Sequence, residues 1–202
     1  HQALTRVVRG RHTMVVDALC TVICRNGGQI ITLEGLTTNC ADECKDRDVA
    51  RMIREIERIV SDSGLKPDIV VLAQREGKNY VFVVDPTVTT EAQLRSENAH
   101  YVEAFTLAQR KTGAFKADGS LREPRDLQLS AHERFYHSTH QGKIAKYRGI
   151  RTQIGSVLQP NGGPTAVQII PIVFGSLGGL HVRTIEALAH HPFTKADYFD
   201  HT

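Results

Sequence analysis

Lys66-Pro67-Asp68-Ile69-Val70-Val71-Leu72-Ala73 and, six residues later, Tyr80-Val81-Phe82-Val83-Val84-Asp85-Pro86 form the stretch whose reading decides the fold. Residues 69–73 and 80–84 are apolar and rich in β-branched side chains, and Gln74-Arg75-Glu76-Gly77-Lys78-Asn79 between them is a glycine-containing connection of hairpin length. Two antiparallel strands are the economical reading. Asp68 then stands at the mouth of the first strand and Asp85 closes the second, so the hairpin brings two carboxylates to one end of a sheet. Pro67 holds Lys66 in extended backbone. Pro86, directly after the second carboxylate, fits a strand end or an edge strand.

Working outward, residues 11–24 carry Met14, Val15, Ala18, Leu19 and Val22 as a helical stripe that Asn26-Gly27-Gly28 ends. Residues 29–33 read as a short strand, and a polar stretch follows. From Asp46 a second helix shows Val49, Met52, Ile53, Ile56, Ile59 and Val60 at intervals of three and four, with Ser63-Gly64 as its stop. Beyond the hairpin, residues 91–110 read as a helix, residues 111–130 as an exposed insertion, and residues 132–147 as a further helix. A turn at residues 159–164, a buried strand at 166–174, a Gly-rich turn at 175–179 and a last helix at 182–190 complete an α/β pattern without internal repeats.

A chain of 202 residues, 41% hydrophobic and 23% charged, suffices for one core of ordinary size. The net charge of +3 permits a polyanionic partner without demanding one. Residues 81–84 and 166–174, the longest apolar stretches, have strand length and fall short of the roughly 20 residues a membrane span requires, so a soluble chain without a membrane partner is expected. The first residues show no signal-peptide pattern, and a chain that starts at His1 reads as a fragment or processed piece. Cys20, Cys24, Cys40 and Cys44 form two pairs at i, i+4 that invite a zinc reading. That spacing differs from a Cys-x-x-Cys knuckle, and a set of reduced thiols explains the count equally well.

The two carboxylates are the chemical signal. Magnesium takes oxygen ligands and is commonly held by one or two carboxylates with water and phosphate oxygens. Taken alone, an Asp at each end of a hairpin also serves as a turn or strand-end cap. The wider pattern is Lys-Pro-Asp-Ile-Val-Val at 66–71, Val-Val-Asp-Pro-Thr-Val-Thr-Thr-Glu at 83–91 and Gly-Lys-Ile-Ala-Lys-Tyr at 142–147. It resembles the restriction-like endonuclease of site-specific non-LTR retrotransposons, a branch of the PD-(D/E)xK superfamily. In that family a basic residue with Pro-Asp is followed by an Asp-x-Thr-Val strand and a helical Lys-x-x-Lys-Tyr. Arg11-His12 with the helix after it is similar to the segment beyond the family's Cys-Cys-His-Cys zinc knuckle, and residues 167–179 to its late strand and Gly-rich turn.

The resemblance implies a restriction-endonuclease-like mixed β-sheet core flanked by helices over residues 63–190, with the insertion at 111–130. Residues 1–62 would be a helical flank following the knuckle, and 191–202 a tail. It implies magnesium-dependent (or manganese-dependent) nicking of double-stranded target DNA in the nucleus, after translation in the cytoplasm. The parent polyprotein would carry a reverse transcriptase, an RNA-directed DNA polymerase that handles the element RNA, and self-association is compatible with this. Carried over by position, Asp68 and Asp85 become metal-binding carboxylates and Lys143 the catalytic lysine, with Lys146 its nearest rival. Glu91 is either a further metal ligand or a helix N-terminal carboxylate. Lys66, Arg148 and Arg151 become DNA phosphate contacts, and Tyr147 a packing residue. Thr87 stands where the simple Glu-x-Lys signature has its lysine, so the amine must come from a helix. Lys111 and Lys116 remain substitutes for it. Another nuclease of the superfamily, for repair or junction resolution, and an inactive nucleic-acid-binding remnant are the rival readings.

Overall fold

Alternation along the hairpin sorts its side chains into two sets that enter different cores. Val70, Leu72, Val81 and Val83 join one apolar cluster, and Ile69, Val71, Ala73, Phe82 and Val84 join another on the opposite face. The computed structural model describes residues 2–75, 77–89, 131–158, 167–175, 180–190 and 192–194. Among these the chain order is α1 (Gln2–Arg25), β1 (Gln29–Leu33), β2 (Leu36–Thr37), α2 (Cys40–Glu43), α3 (Arg47–Asp62), β3 (Ile69–Arg75), β4 (Lys78–Thr89), α4 (Ala131–Leu158), β5 (Val167–Gly175) and α5 (Val182–Leu188). The strands form one mixed sheet in the order β2-β1-β3-β4-β5, antiparallel except for the parallel pair β4 and β5. Val16, Leu19 and Ile23 of α1 and Ala187 of α5 cover one face. Ile53, Ile56, Ile59 and Val60 of α3, with Tyr147, Ile150 and Ile154 of α4, cover the other. The chain is thus an α/β domain of three layers.

Local chemistry explains the joints. The Asp46 carboxylate caps α3, accepting from the backbone N–H of Asp48 at 2.9 Å and Val49 at 3.2 Å. At the end of α1 a Cβ on Gly28 would lie 2.6 Å from Ile23 Cγ2, so only glycine lets the chain turn so tightly onto the sheet.

Three expectations need correction. β1 pairs with β3, and α3 packs in the same core as α4, so residues 29–62 belong to the sheet domain rather than to a helical flank. Its two short elements β2 and α2 were not expected. β4 does not close at Asp85 but runs to Thr89, because its second half takes β5 as partner after β3 has begun at Ile69, opposite Val84. α4 continues eleven residues past Tyr147, since Ile150 and Ile154 extend its buried face and Gly149 looks into open space. The structure also bears on the zinc reading that the cysteine spacing left open. Cys20 packs on the α1 side of the sheet and Cys40 and Cys44 on the α3 side, and all four cysteines are free thiols, so the two pairs cannot share an ion. The helix expected at 91–110, the insertion at 111–130, the turn at 159–164 and most of the tail lie outside the described residues.

Candidate active site

The hairpin register sets the site. Ile69 lies opposite Val84, so one step further out Asp68 faces Asp85 across the strands. There β3 has ended while β4 runs on, which leaves an open notch at the edge. Pro86 tolerates this place because no antiparallel partner calls for its missing N–H. A cleft of about 530 Å³ fills the notch, lined among others by His12, Thr13, Glu34, Lys66, Asp68, Asp85, Thr87, Lys143 and Lys146.

Asp85 points to the α4 side, as Val83 does two residues earlier. It is only 2% exposed, and a carboxylate so far from water needs strong donors. Lys143 Nζ donates to Asp85 Oδ1 at 2.7 Å, and the Tyr147 hydroxyl donates to Oδ2. Lys146 stands one layer further out: its Nζ donates to the Tyr147 hydroxyl at 2.7 Å and lies 3.9 Å from Asp85 Oδ2. Lys143 is the more enclosed amine, its side chain 24% exposed against 41% for Lys146. Burial pushes the Tyr147 phenol far above its ordinary range, and its bond to Asp85 adds to the shift, so the hydroxyl keeps its proton.

Asp68 meets the opposite helix. His12 Nε2 of α1 lies 3.2 Å from Asp68 Oδ2 and 3.1 Å from the Pro86 carbonyl oxygen. Since a carbonyl only accepts, Nε2 carries the hydrogen. The Asp68 carboxyl is pushed up to about 6, chiefly by burial, then by its hydrogen bond and charge contact with Asp85, and His12 opposes the rise. A carboxyl whose ionisation is made costly by burial and by a neighbouring carboxylate forms part of a site that favours an added positive charge.

The structure therefore brings together Asp68, Asp85, Lys143, Lys146 and Lys66, the last an exposed residue at the cleft wall. It does not bring Arg148 or Arg151 into the cleft; both are exposed further along α4. Glu91, Lys111 and Lys116 lie outside the described residues. Tyr147 does more than pack, because its buried ring delivers the hydroxyl to Asp85. His12 was missed as a site residue. Its signals were the Arg11-His12 pair quoted for the family resemblance and its place four residues before Val16, on the stripe that buries Leu19 and Ile23. Thr87, two residues after Asp85, offers the cleft a hydroxyl where an amine was looked for, and its Oγ1 is buried with no hydrogen-bond partner among the described residues.

Three lysines and three carboxylates line the cleft, so its own charges nearly cancel. Among the described residues no three His, Cys, Asp or Glu side chains are grouped so as to hold a metal ion by themselves, and Asp85 is engaged by Lys143 and Tyr147. The donor set is two carboxylates with the Pro86 carbonyl beside them, which suits an ion that keeps water and substrate oxygens in its shell. Compared with protein families, with curated proteins and with solved structures, the chain gives no match.

Proposed function

We propose that this domain is an endonuclease that uses magnesium or manganese to nick double-stranded DNA. The observation that carries the reading is the meeting of Asp68, Asp85 and Lys143 at the open end of one hairpin, inside a cleft of about 530 Å³. A divalent ion held by Asp68 and Asp85 supplies Lewis acidity toward the scissile phosphate and lowers the pKa of an attacking water. Lys143, which donates to Asp85 Oδ1 at the cleft wall, would place an ammonium beside the phosphate, where it would stabilise the charge that develops during attack. Tyr147 holds Asp85 in place through its second oxygen, and Lys146 keeps that phenol oriented. Lys66 at the rim is suited to a backbone phosphate, and its contact carries no sequence information.

The order of motifs extends the proposal to biology. The domain is read as the nicking module of a retrotransposon polyprotein, opening chromosomal DNA in the nucleus so that a reverse transcriptase elsewhere in that polyprotein copies element RNA from the new end. Supercoiled plasmid is the direct substrate for a test. Nicking should require Mg²⁺ or Mn²⁺ and should vanish in Asp68→Ala and in Asp85→Ala while circular dichroism shows both folded. Retained cleavage in either variant refutes the assignment of that carboxylate.

A further inference from the structure

His12 lines the cleft, and the proposed chemistry leaves it unused. It projects from α1, a helix pinned to the sheet by Val16, Leu19 and Ile23, so the imidazole comes from a firmly seated element. Its Nε2 converges on the same two oxygens that face the notch, Asp68 Oδ2 at 3.2 Å and Pro86 O at 3.1 Å. These separations have a second meaning. In an octahedral shell with bonds of about 2.1 Å, neighbouring ligands stand about 3.0 Å apart, the edge of the octahedron. The two separations from Nε2 lie close to that edge, so the imidazole nitrogen stands where a neighbouring ligand to either oxygen would stand.

We propose that His12 is a metal ligand, giving the site one nitrogen donor next to the Asp68 carboxylate and the Pro86 carbonyl. The inference rests on the metal-dependent reading of this cleft and deepens it by naming the class of ion. Without metal, the Nε2 hydrogen bridges the two oxygens and stands in for the cation. With metal, the hydrogen moves to Nδ1 and the Nε2 lone pair binds, a tautomer exchange with no net proton gained or lost. Imidazole suits transition ions, whereas magnesium prefers oxygen ligands, so the site should favour Mn²⁺ over Mg²⁺.

Pulsed electron paramagnetic resonance of Mn²⁺ bound to the 202-residue chain reads this directly. Wild type should show ¹⁴N modulation from a directly bound imidazole, and His12→Ala and His12→Gln should lose it while thermal unfolding shows both folded. Calorimetric titration with each metal alone should show Mn²⁺ affinity falling about ten-fold in His12→Ala, with Mg²⁺ affinity changing far less. Mn²⁺ bound to wild type without nitrogen coupling overturns the ligand assignment and leaves the nuclease reading standing. Nitrogen coupling in a protein that nicks no DNA does the reverse. A wild-type protein that takes up no Mn²⁺ overturns both.

Discussion

α1 and α4 lie on opposite faces of the sheet, yet they address the site by the same device. His12, Val16, Leu19 and Ile23 on one helix, and Lys143, Tyr147, Ile150 and Ile154 on the other, fall at i, i+4, i+7 and i+11. Each stripe is apolar over the sheet and ends in a polar group where the helix passes the hairpin's open end. The difference lies in what each carboxylate requires. Asp85 is 2% exposed, and α4 answers it with an ammonium and a phenol. The Asp68 side chain keeps 19% of its surface in water, and α1 offers it a single imidazole. The α4 side thus balances charge at a carboxylate out of water, while the α1 side serves a carboxylate that keeps contact with water.

Breaking the α4 side should have the largest effect. Lys143→Ala should slow nicking by about 100-fold or more, whereas Lys146→Ala, removing an amine that reaches Asp85 only through Tyr147, should slow it by no more than about ten-fold. Equal and mild losses in plasmid-nicking rates would erase the distinction between the two lysines. Tyr147→Phe sharpens the comparison on stability. It takes one donor from a buried carboxylate and should cost about 1–3 kcal/mol in urea unfolding. A variant as stable as wild type would show that Asp85 does not depend on the phenol.

The smallest effect is expected on the α1 side, and it depends on pH. The folded Asp68 carboxyl titrates near 6 against 3.8 for the ordinary group, so the folded state holds this proton more tightly than the unfolded state does. The stabilisation from that proton is complete below pH 3.8 and is lost as pH rises through 6, where a charge must be held on a half-buried carboxyl beside Asp85. In the absence of metal, Asp68→Asn should therefore raise the Tm by a few degrees at pH 7.5 and hardly at all at pH 4. A Tm difference independent of pH contradicts this account.

Much of this was legible because the hairpin is local. Residues 69–84 show β-branched runs around a six-residue connection, and the register that follows sets Asp68 against Asp85 without further information. What escaped depends on distant partners. β1 has only five residues, and its place in the sheet depends on β3, some forty positions away. Pro86 reads as a stop because the sequence does not disclose that β5 takes over as the partner of β4. His12 and Tyr147 were hidden for a common reason: a polar group on the buried stripe of a helix looks like an extension of the core until the sheet beneath it is seen to end. The cysteine pairs left zinc open for a related reason, since i, i+4 spacing brings two thiols together on a helix but is silent about which face of the sheet that helix covers.

The central claim is that Asp68 and Asp85 share one divalent ion. Crystals soaked in Mn²⁺ at a concentration that supports nicking, measured by anomalous diffraction, test it most directly. One peak in the cleft, within bonding distance of both carboxylates and gone in Asp85→Asn, is the predicted result. A cleft with no peak, in a protein that still cuts DNA under the same conditions, would contradict it.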